Sequence, residues 1–118
     1  MAFSILGSIK KKDMGVLVKL QRSSKPEKKW MVTFVRESGR KKTIHFGQAG
    51  ASDFPSNKDV QRRERYLERH RDREDWGASG VETSGWWARW LLWNRKSIAA
   101  SLTDIRKIRL PLGYKLLR

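Results

Sequence analysis

Hydrophobic positions fall in strand-like runs in the first half of this chain and at helical spacing in the second. Val16, Leu17, Val18 and Leu20 form a short apolar segment between Gly15 and Ser23-Ser24-Lys25-Pro26. Trp30 to Val35 is dense in β-branched and aromatic types, a strong strand signal. Glu37-Ser38-Gly39-Arg40 supplies a glycine-containing turn, and Thr43-Ile44-His45-Phe46 follows before Gly47, which predicts a hairpin. With the Val16 segment this makes a short antiparallel meander of about three strands over residues 15–47. Three strands are about the minimum that stands on one packed face.

Beyond residue 50 the period lengthens. Asn57 or Ser56 is positioned to cap a helix starting near Lys58, because either side-chain oxygen can accept a first-turn N–H. Val60, Tyr66 and Leu67 give that helix a thin apolar stripe, and its other positions alternate in charge until Gly77 and Gly80 break the pattern. Thr83 or Ser84 caps a second helix, Gly85 to Trp93. There Trp86, Trp90 and Trp93 recur at i, i+4 and i+7, and Trp87 and Leu91 widen the stripe onto a neighbouring face. Only Ala88, Arg89 and Asn94 are left to face outward. Ser97 caps a third helix carrying Ile98, Leu102 and Ile105, ended by Pro111 and Gly113. Leu110 to Arg118 shows no clear period. The fold class expected is α+β, the meander followed by three helices around a tryptophan-rich core. Residues 1–12 are expected to form an apolar and basic arm, 13–109 a single domain, and 110–118 a basic tail.

Composition changes this picture in one respect, the charge. The 118 residues include 27 Lys plus Arg against 12 Asp plus Glu, a net charge of +15, with six Trp and no Cys. That excess calls for an explanation from partners and not from fold. It is unevenly spread: residues 57–76 hold seven basic and six acidic side chains and nearly cancel. The excess sits instead at Lys10-Lys11-Lys12, Lys25 with Lys28-Lys29, Arg40-Lys41-Lys42, and from Lys107 to Arg118. The longest nearly apolar run, Trp86 to Trp93, is interrupted by Arg89 and falls far short of the roughly 20 residues of a membrane span. Met1 to Ile9 is apolar, but its lysines follow it, the wrong order for a secretory signal.

Little in the chain points to catalysis. The absence of Cys removes thiolate metal sites and cysteine nucleophiles. His45 and His70 lack the spacing of a ligand pair and read as structural or surface histidines. Asp72, Glu74 and Asp75 sit among Arg71 and Arg73, where ion pairs and cap contacts are the expected use. Phe46-Gly47-Gln48-Ala49-Gly50-Ala51 suggests a phosphate loop, yet it lacks the Gly-Lys-Ser/Thr ending, and Ser52-Asp53-Phe54-Pro55 follows instead of a helix. Gly47 and Gly50 read as positions of positive φ in a tight connection. No catalytic, metal-binding or cofactor-binding residue and no small-molecule substrate are therefore expected. The candidate structural and interface anchors are Trp76, Trp86, Trp87, Trp90 and Trp93. The candidate basic contacts are Lys10, Lys11, Lys12, Lys28, Lys29, Arg40, Lys41, Lys42, Arg109, Lys115 and Arg118.

The stretch from Ile44 to Ile105 resembles a small family of proteins encoded by large nucleocytoplasmic DNA viruses of algae and protists. The residues that carry the likeness are Ile44-His45-Phe46-Gly47, Gly50 with Ser52-Asp53, Asn57-Lys58-Asp59, Arg62 to Tyr66, Arg69-His70, Arg73-Glu74-Asp75-Trp76, Thr83 through Asn94, Ser97-Ile98 and Asp104-Ile105. Residues 77–82 depart from the pattern by their length. The resemblance implies a viral protein and, with it, a non-enzymatic virion component: a minor capsid (cement) protein docking between larger capsid proteins through tryptophan-rich and basic surfaces. Its location would be the virion, and the host cytoplasm during assembly. The alternative is a viral protein that binds nucleic acid non-specifically, its Lys and Arg clusters on the phosphate backbone. A weaker third reading is a small regulatory protein that binds a host factor.

Overall fold

The structure, a computed structural model, describes residues 15–117. The expected meander is present as β1 (Val16–Arg22), β2 (Lys28–Arg36) and β3 (Lys41–Gln48). Antiparallel pairing sets Val18 opposite Phe34 and Val32 opposite Ile44, so alternate residues of each strand share a face. On one face Val18, Val32 and Phe34 are wholly buried, with Leu20 and Phe46 nearly so. The tight turn between β2 and β3 uses Gly39 at φ 91°.

A fourth strand was not expected. β4 (Tyr114–Leu116) pairs in parallel with β1, giving the order β3-β2-β1-β4. Three residues are too few to display an alternation, which is why 110–118 reads as an aperiodic tail. The strand is held by the Val16 N–H on the Gly113 carbonyl and the Leu117 N–H on the Val18 carbonyl. The folded body therefore runs past residue 109. The expected N-terminal arm, residues 1–12, lies outside the described residues.

The helical half differs from expectation in its details. Asp53 caps a short helix, α1 (Phe54–Asn57), directly after the glycine loop, where a non-helical stretch was expected. The cap is a reciprocal box with Ser56, and Lys58 at φ 53° ends the helix within one turn. Because Ser56 is committed there, α2 (Val60–His70) takes Asp59 as its cap, not Asn57 or Ser56. Val60 is exposed, so the buried stripe of α2 reduces to Tyr66 and Leu67.

The tryptophan segment begins as α3 (Ser84–Trp87), capped by Thr83, and continues as a π turn over Ala88–Leu92. There the Trp93 N–H reaches the Ala88 carbonyl, five residues back. α4 (Ile98–Asp104), capped by Ser97, likewise runs into a π turn over Ile105–Arg109. The wider turn corrects the expected outward positions. Asn94 is buried and donates to Asp104, while Ala88 and Arg89 are half-buried. Trp86 and Trp87 pack beneath the sheet, Trp87 against both Phe34 and Phe46.

The turn at Ala78–Gly80 passes over Asp75 so closely that a Cβ on Gly80 would lie 1.9 Å from the Asp75 carbonyl oxygen. Gly80→Ala is expected to destabilise the fold by about 1–3 kcal/mol. A urea titration would read this as a lower midpoint at unchanged slope. Gly77→Ala, whose Cβ meets only an ordinary contact at 3.4 Å, should stay within about 0.5 kcal/mol.

Candidate nucleic-acid interface

The tryptophans are structural anchors inside the molecule. Trp86, Trp87, Trp90 and Trp93 are all less than a tenth exposed, and Trp76 packs against them half-buried. Their N–H groups are mostly used internally: Trp87 donates to the Val81 carbonyl, Trp90 to the Trp76 carbonyl and Trp76 to Glu74. Little of their surface remains for a partner.

Two arginines are drawn into the same core. The guanidiniums of Arg89 and Arg109 lie 4.0 Å and 3.7 Å from the Trp90 ring centre. Arg89 also donates to the Trp93 carbonyl. Burial pulls its pKa down to about 10, helped by the neighbouring charges of Arg63 and Arg109. Arg109, expected as an external contact, is therefore occupied internally. Sequence reasoning missed the role of Arg89; the signal was an arginine spaced one residue before Trp90 and within a widened apolar stripe.

The remaining basic candidates separate by strand register. Lys29 is engaged, its ammonium 2.6 Å from Asp53 and also on the Ala51 carbonyl. Lys28 is half-buried at the start of β2, and Arg40 is exposed in the hairpin turn. Lys42 falls on the covered face, 3.9 Å from Glu82. Lys10, Lys11, Lys12 and Arg118 lie outside the described residues.

Lys41 and Lys115, distant in sequence, are brought into one row. Lys41 pairs with Val35, Val35 with Leu17, and Leu17 with Lys115, across all four strands. The next row is Thr43, Thr33 and Lys19, with the two threonine hydroxyls bonded at 3.0 Å. A third row holds His45, Met31 and Gln21, and the His45 ring is 2.8 Å from the Ser23 hydroxyl. None of these side chains is buried, so this face of the sheet is open. Its rows carry Lys19, Lys41 and Lys115 and no carboxylate. Lys19 belongs to no cluster in the sequence; only alternation along β1 reveals it.

The carboxylates gather elsewhere. Glu74 accepts from Trp76 and lies 3.1 Å from His70, while Asp75 accepts from the Gly77 N–H and the Ser79 hydroxyl. Asp104 holds Arg95 and Asn94. Glu82, ahead of α3, accepts the Tyr114 hydroxyl at 2.6 Å and the Arg36 guanidinium. Burial works to raise the Glu82 carboxyl, but those two hydrogen bonds and the Arg36 and Lys42 charges outweigh it and hold it below its ordinary value. Tyr114 is pushed up to about 12, by burial first and then by donating to Glu82. Among the described residues no three His, Asp or Glu side chains converge as metal ligands would.

Because the folded-state pKa of Glu82 is depressed, its stabilisation is present above the unfolded carboxylate pKa and is lost as pH falls through the folded value. Glu82→Gln is expected to cost about 1–2 kcal/mol at neutral pH. That deficit should shrink as pH falls from about 5 to 3, read by denaturant titration of both proteins. A deficit constant over this range would show that the charge contributes nothing.

A model of a family of unknown function, DUF5754, matches residues 18–70. The matched segment runs from β1 to the end of α2 and stops short of the tryptophan helix. No curated protein and no solved structure gives a match. Among the described residues no helix is long and apolar enough to cross a membrane.

Proposed function

We propose that the protein is a non-enzymatic binder of nucleic acid that lays the phosphate backbone on the open face of its sheet. The observation that carries this reading is the composition of that face: Lys19, Lys41 and Lys115 with threonines between them and no carboxylate in its rows. Its rows hold no Trp, Tyr or Phe on which a base would stack, so the contacts are to phosphates and independent of sequence. In a virus of the kind the sequence resembles, the ligand is the packaged genome or nucleic acid of the host cell.

Fluorescence anisotropy with two unrelated labelled duplexes, across a salt series, tests this. Both duplexes should bind alike, with a steep linear fall of log affinity on log salt, about 0.9 per phosphate neutralised. The triple substitution Lys19→Gln, Lys41→Gln, Lys115→Gln should flatten the slope by about 2–3. An unchanged slope in the triple variant would overturn the assignment to this face.

A second reading, a minor capsid protein docked between larger capsid proteins, is favoured by the C-terminal surface. Ile108, Leu112 and Leu117 are 64%, 90% and 54% exposed, beside the exposed Lys107 and Lys115. Apolar side chains rimmed by cations suit an acidic, partly apolar protein surface. Mass spectrometry of particles stripped of their genome separates the two readings. Retention in the shell supports docking, and loss together with the genome refutes it.

A further inference from the structure

The glycine loop after β3 and the side of α2 enclose a cavity of about 570 Å³ that neither role uses. Arg62, Tyr66, Arg69 and His70 line it from α2, at spacings that set all four on one side of the helix. Arg62 and Arg69 are exposed, and neither guanidinium has a partner among the described residues. Tyr66 is buried with its ring stacked between His70 at 4.2 Å and Trp93 at 4.6 Å. Its hydroxyl also lacks a hydrogen-bond partner among the described residues, and burial holds it far above the ordinary tyrosine pKa, so it remains a proton donor. The one carboxylate in the lining, Asp53, is already neutralised by Lys29 at 2.6 Å, while Glu74, outside the lining but near enough to raise the Tyr66 hydroxyl further, is engaged by His70 and Trp76.

The cavity thus offers unspent donors and positive charge, and its one acidic group is already paired. Arg69 lies seven positions after Arg62, about 10.5 Å along the helix axis, with Tyr66 between them. Arg62 and Arg69 both line the cavity on this side of the helix, and a guanidinium fork matches the oxygens of a tetrahedral anion, which Arg binds in bidentate fashion. The volume exceeds what an isolated phosphate fills and falls in the range of small-molecule sites.

We propose that this cavity binds a phosphate monoester of nucleotide size, with Arg62, Arg69 and the Tyr66 hydroxyl on its phosphate. The site is separate from the open sheet face and goes beyond the backbone contact proposed there. The same phosphate chemistry comes from a free mononucleotide or from the phosphorylated end of a nucleic acid.

Calorimetric titration of the full chain with adenosine monophosphate, adenosine and inorganic phosphate tests the proposal. Adenosine monophosphate should bind, adenosine should not, and inorganic phosphate should compete. Arg62→Gln and Arg69→Gln should each weaken binding about tenfold. Tyr66→Phe, which keeps the ring stack, should weaken it several-fold. The triple lysine variant of the sheet face should bind adenosine monophosphate normally while losing duplex affinity, so the two proposals fail separately. A preference for a 5′-phosphorylated oligonucleotide over its 5′-hydroxyl form, greater than that for the mononucleotide, assigns the ligand as a nucleic-acid end; otherwise it is the free nucleotide. Equal binding of adenosine and its monophosphate, no binding of either, or phosphate-dependent binding that survives both arginine substitutions would overturn the site.

Discussion

Everything in this fold follows from the need to bury the segment Trp86–Trp93 on nearly every side. A straight α-helix hides one stripe against a sheet and leaves the rest in water. Five consecutive residues here, Trp90 to Asn94, are buried, which one such stripe cannot accommodate. The π turn over Ala88–Leu92 is the accommodation: the wider winding lets Trp86 and Trp87 face the sheet while Trp90 and Trp93 meet other elements. Tyr66 of α2 stacks on Trp93 at 4.6 Å, and α4 with the π turn that follows it closes over the tryptophan segment, Leu102 and Ile105 in the same core. The sheet alone, with one apolar face, has no other cover among the described residues.

That burial also decides where the charges go. Several cationic side chains lie over aromatic rings, Arg22 over Trp30, Arg63 over Phe54, Arg89 and Arg109 over Trp90, and of these only Arg22 stays exposed. Others are tied to carboxylates on the helical side, Arg36 to Glu82, Lys29 to Asp53 and Arg95 to Asp104. The net charge of +15 therefore overstates the number of free cations. Among the described residues, the cations left without such a partner include lysines on the open sheet face and arginines at the cavity on α2, with others, such as Arg40 and Lys107, exposed elsewhere.

The sequence made the meander legible because each of its strands is long enough to show an alternation and is bounded by turn residues. It made the second and third helix starts legible too, because the Thr83 and Ser97 hydroxyls each accept a first-turn N–H, from Trp86 and Ala100. The misses share a cause, namely tertiary partners that local patterns do not carry. Asp59 caps α2 because Ser56 is already engaged with Asp53, and β4 exists because β1 has a free edge. The open face was legible only in part. Lys41 and Lys115 stood out as members of basic clusters, but the register that puts them in one row with Val35 and Leu17 is a property of the sheet. The cavity residues Arg62 and Arg69 were hidden in a stretch whose charges nearly cancel in sum, since a sum is blind to which side of a helix each charge occupies.

The division of labour between the two cations is itself physically coherent. A lysine ammonium is a strongly hydrated point charge on a flexible stem, which tolerates a phosphate backbone sliding past in many registers. Lys19, Lys41 and Lys115 stand exposed on the open sheet face, the arrangement that the proposed backbone contact, by charge and counterion release alone, requires. An arginine fork discriminates by direction, and it does so best beside a group that is already immobile. At the cavity that group is Tyr66, whose ring stacks with both His70 and Trp93. The tryptophan segment would therefore act at a distance from the proposed ligand: by fixing Tyr66 it gives the proposed cavity site, with its two exposed arginines on one helix, a preferred direction, whereas the sheet face, which it covers only from behind, has none.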